Sequence, residues 1–247
     1  MYKALITDFD GTLASTDKSV CKKNSDAIKK LCDRGFFFAV CTGRMTLSAL
    51  QVAEKLPVRP PVGAYNGSEI TDSSTGKKIY SKALSYEEVL PLIDFAEKHG
   101  VNYQLYNDMG VYPAVTNKWT KMYSEVCGCP STEIKDTRSF MKNVLKTTPK
   151  FMIIDEHADE GMIDFTPKGV DKGSVVAALA GTWGISADEI VTIGDECNDI
   201  PMLKAAGMGV AVANAGEQVK ANADFVTTAT NDEGAVAEAI GRFVLCE

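Results

Sequence analysis

The sequence has no block of basic residues and no long apolar run. Its 247 residues include 33 acidic and 26 basic side chains, which gives a formal net charge of −7 and a pI near 5.0. Without clustered Lys and Arg, a nucleic-acid backbone is not an expected partner. The apolar run before Asp8 is too short for a signal peptide, and no stretch approaches the roughly 18 apolar residues that span a membrane. We therefore expect a soluble, cytoplasmic protein.

The sequence also has no CxxC pair, and its seven cysteines are scattered and odd in number. This pattern is typical neither of a structural zinc site nor of a disulfide-rich secreted scaffold, so we expect reduced thiols. Cys127 and Cys129 flank a single glycine and could instead bind a soft metal or form a strained bridge. Free thiols are favoured, because these two sulfur atoms have no neighbouring histidine in the sequence. Histidine is scarce, and neither His99 nor His157 is a catalytic candidate.

Short apolar runs alternate with helical patterns at both ends of the chain. Because these runs contain no regular polar alternation, they predict strands that are buried on both faces of a parallel sheet. The helical patterns between them complete βαβ units. The predicted fold class is therefore α/β, with a Rossmann-like parallel sheet and helices on both faces. The predicted strands lie at 4–6, 36–41, 190–193, 208–212 and 224–227, and the helices at 22–34, 45–56, 173–181 and 200–206.

The middle of the chain has a different pattern. Ser85 and Glu88 form a capping box that opens a helix. The elements after it predict a smaller α+β insert over 83–168, which divides the core into residues 1–82 and 169–247. These elements are a helix through His99-Gly100, a hairpin across Asn107-Asp108, a helix over 118–126 and strands near 151–154 and 162–165.

Two carboxylates, Asp8 and Asp10, come directly after the first predicted strand. In an open parallel sheet the ligand crevice lies at the carboxyl ends of the strands, so both acids are expected there. At about 4 Å and an effective dielectric near 20, two such charges repel by roughly 4 kcal/mol, which calls for a cation such as Mg²⁺. Gly11 and Thr12 add backbone N–H groups that can bind an anion. The alternative is a solvated turn.

Two further clusters follow later strands. Thr42 and Gly43 precede a helix, where they can bind a phosphate oxygen or simply cap the helix. Asp195 brings a third carboxylate to the same edge of the sheet and is suited to complete a metal site, with an N-cap role as the alternative. Asn198 is neutral, polar and one turn further on, and it is suited to hold a phosphate oxygen.

Lys172 lies just before a predicted helix. A lysine near clustered carboxylates and a phosphate would balance both charges. Most lysines are solvated at the surface, so this interpretation depends on the neighbouring motifs. Lys168, four residues earlier, is the alternative.

In this order, the motifs resemble those of the haloacid dehalogenase superfamily, and in particular its Cof-type phosphatase branch. That branch carries a C2-type cap between the second and third motifs. The resemblance covers nearly all of the core, residues 1–82 and 169–247. It depends on Asp8-x-Asp10-Gly-Thr-Leu13, Thr42-Gly-Arg44, Lys172-Gly and Gly194-Asp195-x-x-Asn198-Asp199-Ile-Pro-Met-Leu203, with further matches at 65–67, 208–215 and 230–236.

The resemblance implies a role for each acidic residue. Asp8 would be the nucleophile that forms an aspartyl-phosphate, and Asp10 would be the general acid and then the base. Mg²⁺ would be bound by the Asp8 carboxylate, the Asp10 backbone carbonyl and Asp195, with Asp199 behind these ligands. The metal would reduce the repulsion between Asp8 and the phosphate dianion.

The resemblance also implies a set of phosphate-binding residues. Thr42 and Lys172 would hold the oxygens of the transferring phosphoryl group, assisted by Gly43 and Asn198. Phosphoryl transfer needs positioning and charge neutralisation more than covalent chemistry, so this set of residues fits the reaction.

The sequence departs from the branch at two places. Only residues 155–161 separate the last two predicted strands of the insert, so the cap is expected to be shortened. Because cap residues choose the leaving group, the substrates of larger relatives do not carry over. Cys197 lies inside the fourth motif and would make activity sensitive to oxidation if its pKa were lowered, although nearby carboxylates oppose this.

The favoured hypothesis is a Mg²⁺-dependent phosphohydrolase acting on a small phosphorylated metabolite, such as a sugar phosphate. A phosphotransferase or phosphomutase of the same superfamily is the second hypothesis. A non-catalytic sensor of a phosphorylated ligand is the third, and Asp10 argues against it, because a binder does not need a general acid beside the nucleophile.

Overall fold

The central sheet contains eight strands in the computed structural model, which describes residues 1–155 and 161–247. Numbered along the chain, these strands are β1 (Ala4–Thr7), β2 (Phe37–Cys41), β3 (Pro61–Ala64), β4 (Glu69–Asp72), β5 (Lys78–Ser81), β12 (Ile190–Gly194), β13 (Met208–Ala211) and β14 (Phe225–Val226). Their order in the sheet is β14, β13, β12, β1, β2, β3, β4, β5. The strands from β14 to β3 are parallel, and β4 and β5 extend the sheet in antiparallel fashion.

Helices of the core are α1 (Lys22–Asp33), α2 (Thr46–Glu54), α6 (Lys172–Trp183), α7 (Ile200–Ala205), α8 (Glu217–Lys220) and α9 (Ala235–Ala239), which continues as a wider turn over Ile240–Leu245. No helix within residues 1–155 and 161–247 is both long and apolar enough to cross a membrane.

The packing of strand β1 explains why its apolar residues do not alternate with polar ones. Ala4 and Ile6 pack in one cluster with Val175 of α6, whereas Leu5 packs in another with Ile28 of α1. All three β1 side chains are fully buried. A strand covered by helices on both faces needs apolar residues at every position. The predicted α/β fold is therefore confirmed.

The residues between β5 and α6 form a separate antiparallel sheet with its own helices. The sheet order is β11, β10, β7, β8, for strands β7 (Asn102–Asn107), β8 (Gly110–Pro113), β10 (Phe151–Ile154) and β11 (Met162–Phe165). The helices are α3 (Tyr86–His99), α4 (Lys118–Cys127) and α5 (Thr137–Phe140), and a short pair joins β6 (Leu84–Ser85) to β9 (Thr147–Thr148). The predicted domain boundaries at 83 and 168 stay a prediction.

Several details differ from the sequence-based expectation. Strands β3, β4 and β5 are absent from the predicted set, since Pro60, Pro61 and Gly63 mask the strand pattern there. Helix α2 begins at Thr46 with Met45 as its N-cap, so Thr42 does not cap it. Residues 156–160 lie outside the described residues, and with them His157 and the connection on which the predicted cap shortening rests.

A tight turn over Tyr65–Gly67 follows β3 and packs against the start of α6. Gly67 has a φ of +103°, and a Cβ there would lie 2.2 Å from the Asp171 carbonyl oxygen. The Asp171 side chain in turn accepts a hydrogen bond from the Ser174 backbone N–H at the first turn of α6. Gly67 is therefore required both by its backbone conformation and by this close approach.

We predict that Gly67→Ala lowers the thermal unfolding temperature clearly more than Gly76→Ala does. Gly76 also has a positive φ of +72°, but a Cβ there would meet nothing within 4 Å. The control should cost about 1–2 kcal/mol for the left-handed conformation alone, and overpacking at Gly67 should add about 1–3 kcal/mol. Equal shifts in the two variants would show that the Asp171 contact does not constrain this turn.

Candidate active site

The turn after β1 places Asp8 and Asp10 at the carboxyl end of the central sheet. The Asp8 backbone N–H donates to the Ile193 carbonyl oxygen of the neighbouring strand β12 at 2.9 Å, and Asp8 is 4% exposed. Gly11 has a φ of +76°, and a Cβ there would lie 2.3 Å from Asp195 Oδ2. The glycine thus lets the turn approach the acid that follows β12.

Asp195 lies beside Asp8 because β12 and β1 are neighbours in the sheet, although the two residues are far apart in sequence. The Thr12 hydroxyl donates to Asp195 Oδ1 at 2.5 Å. One carboxylate oxygen each from Asp8, Asp195 and Asp199 lies within 4.8 Å of the others. A compact set of carboxylate oxygens without thiol or imidazole fits a hard cation such as Mg²⁺.

Lys172 is buried between two of these acids. Its Nζ donates to Asp8 Oδ1 at 2.7 Å and to Asp199 Oδ1 at 2.5 Å, and Lys172 is 1% exposed. The other Asp199 oxygen accepts the backbone N–H groups of Asp195 and Glu196 at 2.9 and 3.0 Å. Asp199 therefore positions both the ammonium group and the backbone after β12. Lys168, the sequence alternative, is exposed.

Burial and the neighbouring charges shift the pKa values of this cluster. Burial raises the pKa of Asp8 although the Lys172 charge opposes it, and burial raises the pKa of Asp195 to about 6 although Thr12 donates to it. Burial lowers the pKa of Lys172, but Asp8 and Asp199 outweigh it and hold that pKa above its usual value. One ammonium cannot balance three carboxylates, so the cluster favours a further cation.

Asp10 has a different environment from Asp8. Both of its oxygens accept from Arg44, through Nε and Nη2 at 2.6 Å each, and Lys18 Nζ lies 3.2 Å away. Burial would raise the pKa of Asp10, but the hydrogen bonds and charge of Arg44 outweigh it and lower that pKa. The Arg44 guanidinium also lies over the Phe9 ring. The sequence contains Arg44 in a motif, but its contact with Asp10 was not predicted.

The predicted phosphate-binding residues meet at the same crevice. Thr42 follows β2, is 1% exposed, and accepts the Arg44 backbone N–H at its Oγ1 at 3.2 Å. A Cβ at Gly43 would lie 2.9 Å from the Asn66 Oδ1 atom, which accepts from Asn198 Nδ2 at 3.1 Å. The structure thus brings Thr42, Gly43 and Asn198 together beside Asp8 and Lys172.

The crevice between the central sheet and the inserted residues has a volume of about 260 Å³. The insert contributes residues that sequence reasoning did not select, because no local spacing marks them. The residues that line the crevice are Asp8, Asp10, Thr42, Gly43, Arg44, Asn66, Tyr123, Cys127, Lys150, Met152, Asp164, Lys172, Glu196 and Asn198. A larger cavity of about 790 Å³ lies within the insert, near Asn102 and Arg138, and none of the predicted site residues lines it.

Cys127 is a thiol at this crevice. A hydrogen bond with Cys129 lowers the pKa of Cys127 to about 7; burial opposes this, while Tyr123 and the charges of Lys150 and Arg44 assist it. A free cysteine has a pKa near 8.5, so these contacts favour the thiolate form of Cys127. The Cys197 thiol is exposed and lies 3.5 Å from Gln218 Oε1. From the sequence, oxidation sensitivity of this thiol is the less favoured interpretation.

Comparisons with known proteins give one consistent family. A model of the haloacid dehalogenase-like hydrolases matches residues 5–160 and 116–240. The chain is 29% identical to a 5-amino-6-(5-phospho-D-ribitylamino)uracil phosphatase of Bacillus subtilis, over 98% of this chain and 96% of the relative.

Solved structures agree with this match. A haloacid dehalogenase-like hydrolase from Bacteroides thetaiotaomicron superposes with a TM-score of 0.85 at 26% identity, covering 98% of this chain and 99% of the other. A sugar phosphatase of subclass IIB of the same superfamily superposes with a TM-score of 0.80 at 26% identity, covering 98% of both chains.

We predict that alkylation of Cys127 by iodoacetamide rises with pH and is half-maximal at about pH 7. Cys129→Ala should move this midpoint upward, since it removes the hydrogen bond that stabilises the thiolate. Fragment-ion mass spectrometry of the tryptic peptide Met122–Lys135 separates the two cysteines. Cys32→Ala is the control and should leave the midpoint in place. A midpoint that Cys129→Ala does not move would contradict this origin of the low pKa.

Proposed function

Since the chain belongs to the haloacid dehalogenase-like hydrolase family and is a phosphatase, we propose that it is a Mg²⁺-dependent phosphomonoesterase acting through an aspartyl-phosphate. Its substrate would be a small, sugar phosphate-like metabolite. The observation that carries this proposal is the Asp8 carboxylate, which is buried at the end of β1, hydrogen-bonded to Lys172 and close to Asp195 and Asp199. A buried carboxylate next to a lysine and further acids is suited to attack an anionic phosphate.

The first step transfers the phosphoryl group to the protein. An Asp8 oxygen attacks phosphorus, the bond between phosphorus and the ester oxygen breaks, and the leaving oxygen takes a proton from Asp10. Because Arg44 holds Asp10 deprotonated, Asp10 must first take up a proton from solvent, which requires its contact with Arg44 to weaken when substrate occupies the crevice. Lys172, Thr42 and Asn198 would bind the phosphoryl oxygens.

The second step returns the protein to its starting state. Asp10, now a carboxylate, removes a proton from a water molecule that attacks the aspartyl-phosphate. The bond between phosphorus and Asp8 breaks, which releases inorganic phosphate. Using one residue as acid and then as base gives proton balance over the cycle.

The Asp8 carboxylate, the Asp10 backbone carbonyl and the Asp195 carboxylate would hold Mg²⁺. The ion supplies positive charge that neutralises the phosphate and screens its repulsion from Asp8. Asp199 supports this set through the backbone N–H groups of Asp195 and Glu196.

Hydrolysis is favoured over the alternative functions. Two of the relatives reported above, the Bacillus subtilis protein and the subclass IIB structure, are named phosphatases, which supports water rather than a second sugar as the acceptor. The name of the Bacillus subtilis relative refers to a phosphorylated ribityl chain, and that of the subclass IIB structure refers to a sugar. Both support a small phosphorylated metabolite as the substrate. The cytoplasmic location and the absence of a nucleic-acid partner stay predictions.

We predict that Asp8→Asn lowers the rate of p-nitrophenyl phosphate hydrolysis by more than about 10³-fold, because loss of a nucleophile removes most of the catalytic effect. The measurement is inorganic phosphate release with Mg²⁺, and a chelator should abolish wild-type activity until Mg²⁺ is restored. Asp26→Asn is the control, because Asp26 is an exposed acid on α1. Activity of Asp8→Asn above about a tenth of wild type would contradict the proposed mechanism.

We predict that Asp10→Asn loses more activity with an alkyl phosphate than with p-nitrophenyl phosphate. An alkoxide leaves poorly without a proton, so a general acid is worth about 10²–10⁴-fold there, whereas p-nitrophenolate leaves without one. The measurement is the ratio of kcat/KM for the two substrates. Asp17→Asn is the control, since Asp17 is an exposed acid near Asp10 in sequence. An equal loss with both substrates would argue against the acid role.

A further inference from the structure

Lys150 is a buried lysine for which the proposed mechanism has no use. It precedes β10 and is 1% exposed. Its Nζ lies 3.0 Å from Asp164 Oδ2 and 3.4 Å from the Gly43 carbonyl oxygen, and it lies over the Tyr106 and Tyr123 rings at 4.8 and 5.6 Å. Burying an ammonium is costly unless it is paired, so the insert fixes this charge in one position. That position is on the wall of the crevice.

Asp164 presents an acceptor beside this ammonium. It lies on β11 opposite Met152 of β10, and both line the crevice. Its Oδ2 accepts one hydrogen bond from Lys150 Nζ and a second from Asn66 Nδ2, which lies 3.1 Å away. Within the part of the chain that the structure describes, Asp164 Oδ1 has no hydrogen-bond partner. The crevice wall contributed by the insert therefore offers a donor and a free acceptor side by side.

The charges of the crevice limit what the leaving group can carry. Lys150 is matched by Asp164, Arg44 is matched by Asp10, and Lys172 is matched by Asp8 and Asp199. Among the described residues that line the crevice, every lysine and arginine is thus already paired with a carboxylate. A second phosphate or a carboxylate on the leaving group would meet no unmatched positive charge, and burying such a group without a partner is strongly unfavourable.

A hydroxyl group fits the same wall. It can donate to the free Asp164 oxygen and accept from the Lys150 ammonium, which neither an ether nor a second anion can do. Tyr123 and Met152 border the same crevice and can pack against carbon atoms. The volume of about 260 Å³ is near the small end of ligand pockets. A short polyol or a single sugar ring matches these properties.

We propose that Lys150 and Asp164 are specificity-determining residues that bind hydroxyl groups of the leaving group. The substrate is then the monophosphate of a polyol or sugar that carries no second anionic group. This inference rests on the proposed phosphatase function. It adds the identity of the residues that recognise the leaving group.

The test compares kcat/KM for three substrates: ribitol 5-phosphate, 3-phosphoglycerate and p-nitrophenyl phosphate. Wild type should prefer ribitol 5-phosphate to 3-phosphoglycerate by about 10²-fold or more, since a site built for hydroxyl groups rejects an unpaired carboxylate. Asp164→Asn and Lys150→Met should each lower kcat/KM for ribitol 5-phosphate by about 10–100-fold, mainly through KM, because each leaves a polar group unpaired. The loss with p-nitrophenyl phosphate, which has no hydroxyl groups, should be at least about ten-fold smaller.

Lys142→Met is the matched control. Lys142 is also a lysine of the insert, and it lies over the Tyr86 ring at 5.9 Å, but it is exposed and outside the crevice. This variant should retain the wild-type substrate preference. Thermal unfolding of Lys150→Met identifies a folding defect, and in that case the near-isosteric Asp164→Asn decides the question.

The outcomes separate the inference from the function on which it rests. Equal losses with ribitol 5-phosphate and p-nitrophenyl phosphate, or a wild-type preference for 3-phosphoglycerate, would overturn the assignment of Lys150 and Asp164. Wild-type protein that releases no phosphate from any of the three substrates with Mg²⁺ would overturn the proposed function instead.

Discussion

The site depends on one buried interaction, in which the Lys172 ammonium lies between the Asp8 and Asp199 carboxylates. The three residues come from the turn after β1, from the start of α6 and from the turn after β12, so this contact ties together three segments of the core. Its charges do not sum to zero, and the pKa of both Asp8 and Asp195 is raised, mainly by burial and further by the neighbouring carboxylates. A site with excess negative charge is unfavourable by itself, and a bound cation offsets this charge before an anionic phosphate enters.

Local patterns in the sequence predicted much of the fold. The apolar runs gave β1, β2, β12, β13 and β14, because strands covered on both faces need apolar residues throughout. The capping box at Ser85 and Glu88 is present in the structure, since its two hydrogen bonds involve residues only three apart. The β3–β5 extension was not predicted, because proline and glycine obscure its strands and pairing with β2 stabilises them instead.

The candidate site shows the same division between local and long-range information. The residues of the ordered motifs do meet, because each follows the carboxyl end of a strand in the same sheet. Residue type alone did not distinguish Lys172 from Lys168, and the resemblance favoured Lys172. The structure buries Lys172 at the start of α6, whereas Lys168 is exposed. Lys150 and Asp164 carry no local signal, and the spacing of Cys127 and Cys129 did not indicate the crevice. Only the packing of the insert over the sheet brings these residues there. Their roles, like those of the motif residues, are proposals.

The pairing of β1 with β12 has a consequence for biosynthesis. The two strands are adjacent in the sheet, but the chain between them includes the whole insert. A nascent chain that has emerged through residue 165 can hold the first acidic turn and the insert strands, yet neither Lys172 nor Asp195 exists to complete the charge cluster. Contacts between residues so distant in sequence form late, since a long loop must close first. Emerging β1 is therefore an apolar strand with an unpaired edge until β12, at Ile190–Gly194, has been translated, and chaperones have most to protect during that interval.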